Sequence, residues 1–316
     1  MILIIDGNNL AYRAKHVFSL SNRGEDVSVV YGFIRVLNSL MSKYKPTSVI
    51  VCWDNGIPDF RRQAVPSYKA NRHSDDDHDE RENFYMQIDE LHTYALPMFG
   101  MISVAKHGAE ADDLMYQASR LCVDECIIVT SDKDLIQAVN YKTKVMNPAR
   151  DTLYTVDNIE EHFGVPLNHF VDWRAIQGDS SDNIPGVYGI GEKTATKLFK
   201  EYGTLTNIVN KASKSDNKVM QHIVEFGFQK LVNNIMVTAL YADRVGARLA
   251  ILDALEMFRK ADKDRTKKYF MRKAFVSLID GEFFSNILRL RKPDVSTKNM
   301  RLPVIAGVRR KSCLMA

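Results

Sequence analysis

Short apolar runs alternate along the first half of the chain with segments of helical spacing. The runs ILII at 2–5, SVIVCW at 48–53 and CIIVT at 126–130 are apolar on both faces, as in buried strands of a parallel sheet. Between them, residues 28–44 and 110–122 carry apolar side chains at the spacing of a helix. The pattern predicts an α/β fold in which a mostly parallel central sheet has helices on both faces.

Two further parts of the chain depart from this alternation. Residues 56–100 are polar, begin with a basic run and continue through SDDDHDERE, and insertions of this length are usually functional. After about residue 155 the strand signals fade and helical patterns follow. We therefore expect an α/β core with an insertion, a mainly helical second part and a flexible basic tail, at 1–177 (insertion at about 56–100), 178–292 and 293–316.

Acidic residues follow the three predicted strands. Asp6 ends the first, Asp54 follows the second and Asp132 follows the third. Parallel strands end at the same edge of a sheet, and that edge is where ligands bind in open α/β folds. The three carboxylates are therefore predicted to lie at one site.

Six more acids lie in short motifs, EADD, TSDKDL and GDSSDN. They are Glu110, Asp112, Asp113, Asp134, Asp179 and Asp182. Local roles stay open for most of the set. Glu110 and Asp113 suit the first turn of a helix, the acids of TSDKDL suit a strand end and an N-cap, and the last two suit a turn.

A cluster of these carboxylates would need cations. Two carboxylates about 5 Å apart repel each other by roughly 3 kcal/mol at an effective dielectric constant of 20. Oxygen ligands without histidine or cysteine select hard ions, so we predict Mg²⁺ or Mn²⁺, two or more of them. Paired ions of this kind are a standard apparatus for cleaving phosphodiesters.

A glycine-rich stretch, PGVYGIGEKTATKLF, follows the last acidic motif. Gly186, Gly189 and Gly191 precede a predicted helix that carries Lys193 and Lys197. A helix start with nearby glycines and lysines is suited to bind phosphates of a duplex backbone. An ordinary loop-to-helix turn is the alternative.

Bulk composition constrains the class of protein only weakly. The 316 residues are 45% hydrophobic, and the net charge of +4 is the small difference between 43 basic and 39 acidic residues. No apolar run approaches the roughly 20 residues of a membrane helix, and we expect a cytoplasmic protein of a bacterial or phage-infected cell without a membrane partner. Four scattered cysteines predict buried reduced thiols.

Six motifs, in order over about residues 1–205, closely resemble the 5′-nuclease superfamily. They are IIDGNNL, VCWDN, FRRQAVPSYKANR, GAEADDL, TSDKDLIQ and GDSSDNIPGVYGIGEKTA. The superfamily includes flap endonucleases, the 5′→3′ exonuclease domain of bacterial DNA polymerase I and stand-alone phage 5′-exonucleases, including the phage ribonuclease H type. The final third of the chain matches it only loosely.

The resemblance implies a role for each matching residue. All nine acids named above are implied as metal ligands, some of them through water. Segment 60–100 is implied to be a helical arch through which the free 5′ strand passes. Lys69 and Arg72 are implied to contact the scissile phosphate, so that they and Asp132 are the predicted catalytic residues. Residues 183–200 are implied to be a helix-hairpin-helix that grips duplex and can hold K⁺.

Two more DNA contacts are implied in the insertion. Arg61 resembles a basic residue at the base of the arch, and Tyr68 resembles an aromatic that stacks on a base near the cut. A partly buried packing aromatic is the alternative for Tyr68.

The expected activity is therefore that of a metal-dependent 5′→3′ exonuclease or flap endonuclease. Its expected partners are flap, nicked or 5′-ended duplex DNA, RNA–DNA hybrid during primer removal, and replication proteins such as a polymerase, a single-strand binding protein or a clamp, with the chain a monomer. A non-catalytic DNA-binding or scaffold protein is the alternative. A phosphatase that starts from Asp6 is disfavoured because Asn8 occupies the second place of its usual D-x-D pair.

Overall fold

The computed structural model describes residues 1–71, 78–279 and 281–296. Within them the strands are β1 Ile2–Asp6, β2 Ser21–Asn22, β3 Glu25–Asp26, β4 Ser48–Trp53, β5 Ile102–Ala105, β6 Cys126–Val129, β7 Thr143–Asn147 and β8 Thr152–Tyr154.

The described α-helices, in chain order, are α1 Gly7–Val17, α2 Ser28–Tyr44, α3 Asp59–Ala64, α4 His78–Asp89, α5 Leu96–Met98, α6 Ala111–Leu121, α7 Ile159–Phe163, α8 Phe170–Gln177, α9 Glu192–Tyr202, α10 Leu205–Ala212, α11 Lys218–Phe226, α12 Phe228–Thr238, α13 Ala247–Glu256, α14 Lys263–Arg272 and α15 Gly281–Leu288. A π-helical segment, Glu90–Ala95, joins α4 to α5, and 3₁₀ turns occupy Lys133–Ala138, Leu167–His169 and Val276–Leu278.

The central sheet has the strand order β5-β4-β1-β6-β7-β8. Its first five strands pair in parallel, with Asp6 of β1 opposite Cys52 of β4, and Ile5 opposite Val129 of β6. The carboxyl ends of β4, β1 and β6 therefore lie side by side at one edge of the sheet.

Both faces of this sheet are buried, as its apolar runs predict. Ile2, Leu3, Ile4 and Ile5 are each 0% exposed although alternate side chains of a strand point to opposite faces. On one face the core continues through α2, α14 and α15, whereas α6 lies against β1, β4 and β5 and packs on α13. The α/β class with helices on both faces is confirmed.

The described residues form two compact units. The first comprises residues 1–57, 78–153, 243–279 and 281–296, and the second comprises residues 58–71 and 154–242. The predicted insertion is thus divided between the units, and the second unit is helical apart from the end of β8. The domain bounds drawn from the sequence stay a prediction.

Individual elements agree closely with the apolar pattern where that pattern is strong. The helix predicted at 28–44 has those bounds, and the helix predicted at 110–122 spans Ala111–Leu121. Cys52, Cys122 and Cys126 are buried free thiols, and Cys313 lies outside the described residues. Within the described part of the chain, every helix is too short or too polar to cross a lipid bilayer.

Candidate functional site

The first carboxylate, Asp6, is fixed between a helix start and a neighbouring strand. It caps α1 by accepting a hydrogen bond from the Asn9 backbone N–H at 2.9 Å, and its other oxygen accepts one from Thr130 Oγ1 at 2.7 Å. Gly7, the first residue of α1, lies against the Trp53 ring, and a Cβ there would be 2.5 Å from it. Asp6 is 8% exposed, so these donors compensate for its burial.

The second carboxylate, Asp54, joins the end of β4 to the start of α6. Its Oδ1 accepts a hydrogen bond from the Ala111 backbone N–H at 2.8 Å, the first residue of that helix. Its own backbone N–H donates to Asn8 Oδ1 at 2.9 Å. Asp54 is exposed, so its carboxylate is accessible from outside the core.

Two acids influence the buried thiol of Cys52, which lies beside Asp6 in the sheet register. Burial raises the pKa of Cys52 well above its ordinary value, and the negative charges of Asp6 and Asp112 raise it further. Asp112, from the first turn of α6, therefore contributes to the same negative field as Asp6.

Glu110 and Asp113 take the local role that the sequence left open. They form a capping box at the start of α6, in which the Glu110 backbone N–H donates to Asp113 Oδ2 at 3.3 Å. Both are buried, with 3% and 5% of their surfaces exposed. The structure shows their capping contact at the start of α6, and a role as metal ligands stays a prediction.

Asp132 and Asp134 follow β6 on a 3₁₀ turn. Asp132 Oδ1 accepts a hydrogen bond from the Asp134 backbone N–H at 2.7 Å, which is the N-cap geometry. The Asp132 backbone N–H in turn donates to Thr130 Oγ1 at 3.1 Å. Through this one hydroxyl, Thr130 connects Asp132 to Asp6.

The donor set at this edge consists of carboxylate oxygens from β1, β4, β6 and α6. Among the residues described, no three His, Cys, Asp or Glu side chains are grouped closely enough to form a ready-made metal site. The elements therefore bring the carboxylates to one edge, while the side chains bond to nearby N–H and O–H groups. The chemistry of this donor set suits a hard divalent cation, and each acid's ligand role stays a prediction.

Asp179 and Asp182 belong to the second unit. Asp179 pairs with Arg174, with Nη2 and Oδ2 2.5 Å apart, and accepts hydrogen bonds from the backbone N–H and the hydroxyl of Ser181. Burial alone would raise the pKa of Asp179. The hydrogen bonds from Ser181 and the charge of Arg174 outweigh burial, so the pKa lies below its ordinary value and Asp179 is an anion.

Asp182 forms a buried pair with Lys69. Lys69 Nζ lies 3.8 Å from Asp182 Oδ2, and the two side chains are 8% and 10% exposed. The Lys69 backbone N–H also donates to the Asp182 carbonyl at 2.8 Å, and Ser67 Oγ donates to the Asn183 carbonyl at 2.9 Å. Asn71 Nδ2 donates to the Ser180 carbonyl at 3.4 Å as well, so the loop that carries Lys69 is attached to the GDSSDN motif at several points.

Arg61, for which the resemblance implies a DNA contact at the base of the arch, is buried. It is 2% exposed, its Nε donates to the Val237 carbonyl at 3.0 Å, and its guanidinium lies 5.1 Å from the Phe60 ring centroid. Arg61 therefore fixes α3 to the end of α12, because a buried guanidinium needs such partners. Its contact with DNA stays a prediction that would require exposure of the guanidinium.

Tyr68 is also buried, at 5% exposed, with Lys69 Nζ 5.1 Å from its ring centroid. This burial agrees with the packing role that the sequence left open. Stacking on a base stays a prediction that would require exposure of the ring. Arg72 lies outside the described residues.

The glycine-rich stretch forms the hairpin between α8 and α9, and its glycines differ in role. A Cβ at Gly186 would lie 1.8 Å from the Gln177 carbonyl oxygen, so this glycine allows a close backbone contact with the end of α8. Gly189 has φ +75°, and Gly191 is the N-cap of α9 with open space around it. Gly189, Gly191, Lys193 and Lys197 are exposed and accessible to a ligand.

Sequence reasoning missed the residues that hold these acids. Thr130 bonds Asp6 and Asp132, Asn8 bonds Asp54, and Arg174 pairs with Asp179. Thr130 lies in the motif TSDKDLIQ and Asn8 in IIDGNNL, each within two residues of the end of a strand. That position could have indicated that they bond the acids at the sheet edge. Arg174 had no such signal, because its pairing depends on the turn between α8 and Asp179.

Comparison with known proteins gives a consistent result over most of the chain. Residues 1–164 match the family model described as "5'-3' exonuclease, N-terminal resolvase-like domain", and residues 165–245 match "5'-3' exonuclease, C-terminal SAM fold". DNA polymerase I of Thermus filiformis is 36% identical over 234 residues, covering 73% of this chain and 27% of the relative. DNA polymerase I of Mycobacterium leprae is 31% identical over 294 residues, which cover 90% of this chain and 31% of the relative. The chain therefore spans about a third or less of these relatives.

Solved structures give the same fold. The bacteriophage T5 D15 protein co-crystallized with metal ions has a TM-score of 0.65 and 23% identity, covering 88% of this chain and 99% of its own. The catalytic core of Rad2 in complex with a DNA substrate has a TM-score of 0.52 and 18% identity, and the match covers 91% of this chain and 92% of the Rad2 core. At these identities the likeness concerns the fold.

Proposed function

Since the chain belongs to the 5′–3′ exonuclease family, we propose that it is a structure-specific 5′ nuclease that depends on divalent metal ions. It hydrolyses phosphodiesters near 5′ ends or at junctions of single strand and duplex, as a 5′→3′ exonuclease or a flap endonuclease. Removal of RNA primers in replication is one use of this activity.

The observation that carries the proposal is the set of carboxylates at one edge of the sheet. The ends of β1 and β4, the turn after β6 and the start of α6 supply carboxylate oxygens, and Asp54 is exposed. Bound there, two or more Mg²⁺ or Mn²⁺ ions would supply activation of water and stabilisation of the leaving oxygen. Asp6, Asp54, Asp112 and Asp132 are the residues proposed to hold them.

The chain's own basic residues position the substrate in this proposal. Lys69 and Arg72 supply positive charge for the scissile phosphate, where charge stabilisation is worth several kcal/mol. For Lys69, whose side chain is 8% exposed in its pair with Asp182, this contact requires exposure of the ammonium group. The exposed residues Gly189, Gly191, Lys193 and Lys197 bind the backbone of duplex without reading bases. Bound K⁺ at this hairpin is part of the proposal.

The proposed substrates are flap, nicked or 5′-ended duplex DNA and RNA–DNA hybrid. One structure of the bacteriophage T5 D15 flap endonuclease is a pseudo-enzyme–product complex with DNA and metal ions, and the Rad2 core is in complex with a DNA substrate. Replication proteins as partners, a monomeric state and a place in the cytoplasm complete the proposal.

The test is digestion of a 5′-labelled DNA flap, with an RNA–DNA hybrid of the same sequence in parallel. We expect cleavage with Mg²⁺ and none with EDTA, and Asp132→Asn to lower the single-turnover rate by about 100-fold or more while binding survives. Asp157→Asn is the matched control, because Asp157 is exposed and lies outside the proposed site. Cleavage that persists after complete removal of divalent ions would contradict the proposal.

A non-catalytic DNA-binding or scaffold protein is the alternative function. It would bind the flap equally well with and without divalent ions and leave it intact in both conditions. The concentration of acids at the sheet edge disfavours this alternative, because uncompensated carboxylates repel phosphate.

A further inference from the structure

Positive charge is concentrated in one segment of the first unit, residues 259–273. The segment contains eight basic residues (Arg259, Lys260, Lys263, Arg265, Lys267, Lys268, Arg272 and Lys273) against Asp262 and Asp264, a net charge of +6. The whole chain has a net charge of +4, so all other residues together carry −2. Helix α14 lies inside this segment and beyond residue 245, where the family match ends.

The fold holds one side of α14 rigidly in the core. Thr266 and Phe270 are 0% exposed and Tyr269 is 2% exposed. Tyr269 Oη donates to Glu90 Oε1 at 2.8 Å, and Lys273 Nζ donates to Glu90 Oε2 at 2.8 Å. These residues repeat at the spacing of one helix face, so the opposite face of α14 points toward solvent.

That outward face consists of Arg265, Lys267, Lys268, Met271 and Arg272, which we call the α14 basic face; all five residues are exposed. Among the side chains that the structure describes, its four cations form no ion pair, in contrast to Lys273 with Glu90. Arg265 also lies 5.8 Å from the ring centroid of Tyr94, a residue that is 38% exposed. The face thus combines uncompensated positive charge with an accessible aromatic ring.

We propose that the α14 basic face binds the sugar–phosphate backbone of nucleic acid, as a contact separate from the residues proposed for cleavage. This rests on the proposed function only in that the substrate is a polyanion. Closely spaced cations on a rigid helix match the regular phosphates of a strand, and release of counterions drives such binding without sequence preference. The exposed Tyr94 ring adds a surface on which an unpaired base stacks.

A membrane surface is the competing anionic partner, and the structure disfavours it. A helix that binds a bilayer inserts an apolar face, whereas the apolar face of α14 is already buried in the protein core. Met271 is the only large apolar side chain on the α14 basic face, at 63% exposed. The chemistry of the face is therefore that of a phosphate-binding surface.

The test compares two triple variants in binding to a fluorescein-labelled blunt duplex and a labelled oligothymidine strand. Lys267→Gln, Lys268→Gln and Arg272→Gln alter the face, and Lys45→Gln, Arg150→Gln and Lys292→Gln are the matched control, which also loses two lysines and one arginine at exposed positions. Anisotropy is measured without divalent ions over a range of salt concentrations. Binding thus reports on the face even if the chain cleaves nothing.

We expect the face variant to bind about tenfold more weakly. The slope of log K against log salt should fall in magnitude by about two to three, since each lost contact with duplex contributes about 0.9. The control variant should match the parent in both quantities. Lys267→Arg combined with Lys268→Arg should keep the parent's slope, because both charges remain. Lys268→Gln alone should reduce the magnitude of the slope by about one, and this single variant keeps the test valid if the triple variant fails to fold.

Three results would overturn the proposal. The first is an unchanged affinity and slope in the face variant, and the second is an equal loss in the control variant. The third is binding to phosphatidylglycerol vesicles that depends on the same three residues while nucleic-acid binding does not.

Discussion

Single residues decide how the carboxylates are held, and Thr130 is the clearest example. Its hydroxyl donates to Asp6 and accepts from the Asp132 backbone N–H, and Thr130 is 1% exposed. Asp6 and Asp132, which are 126 positions apart (132 − 6), are thereby connected through one oxygen. The contact orients Asp6 and also fixes the turn after β6.

Replacing this hydroxyl should therefore cost stability. Thr130→Val keeps the shape of the side chain but leaves a buried carboxylate oxygen without its donor, which costs about 1.5–3 kcal/mol. Urea unfolding should show this loss in the free energy of unfolding. Thr130→Ser retains the hydroxyl and should lose about 1 kcal/mol or less; an equal loss in both variants would show that packing, not the hydrogen bond, is the cause.

Asp172 in α8 should make the stability of the second unit depend on pH. Burial raises the pKa of Asp172 from 3.8 to about 6. Below about pH 4 the carboxyl is protonated in both the folded and the unfolded state, so its burial does not lower the free energy of unfolding through ionisation. As the pH rises to about 6, the unfolded state ionises first, so the folded state loses up to about 3 kcal/mol, and the loss stays constant above that pH.

Asp172→Asn should remove this dependence. The variant should be more stable than the parent above about pH 6 and equal to it near about pH 4, as measured by urea unfolding across that range. Asp157→Asn, at an exposed position, serves as the control. A variant that is less stable than the parent at neutral pH would contradict the assigned cause.

At the scale of elements, the strands that were predictable are those with apolar residues on both faces. β1, β4 and β6 have this pattern, and their burial in the centre of the sheet explains it. β5 and β7 were missed because Ser103 and Lys144, which are only half-buried, interrupt their runs. α1 was missed, and its first residue, Gly7, packs so closely on the Trp53 ring that a Cβ would lie 2.5 Å from it, a contact between distant residues.

The hairpin between α8 and α9 depends on one close backbone contact, and Gly186→Ala tests it. A Cβ there would lie 1.8 Å from the Gln177 carbonyl oxygen and 2.9 Å from the Gly178 nitrogen, both backbone atoms that cannot move aside cheaply. We expect a loss of about 3 kcal/mol or more in the free energy of unfolding, at the upper end for overpacked positions. Gly191→Ala, with open space around it, should change stability by less than about 1 kcal/mol; similar losses in both would contradict the assignment.

For the whole molecule, the sequence located the acids but not their local partners. Neighbouring strand ends follow from the apolar runs, so the positions of Asp6, Asp54 and Asp132 at one sheet edge were predictable. The buried pair of Lys69 and Asp182 was not, because it joins loops 113 positions apart (182 − 69) in a unit assembled from two separate segments. Such pairings depend on tertiary packing that no local pattern records.

If the acids of the first unit hold divalent ions, ion binding should stabilise the folded chain as a whole. A ligand that binds only the native state at about a hundredfold excess over its Kd stabilises it by about 2.7 kcal/mol. Mn²⁺ or Mg²⁺ should therefore raise the Tm by several degrees relative to NaCl at equal ionic strength. Asp132→Asn should reduce this rise and Asp157→Asn should keep it, since only Asp132 lies among the proposed ligands. Equal rises in both variants would remove Asp132 from the ion site, and no rise in the parent would refute an ion site at this edge.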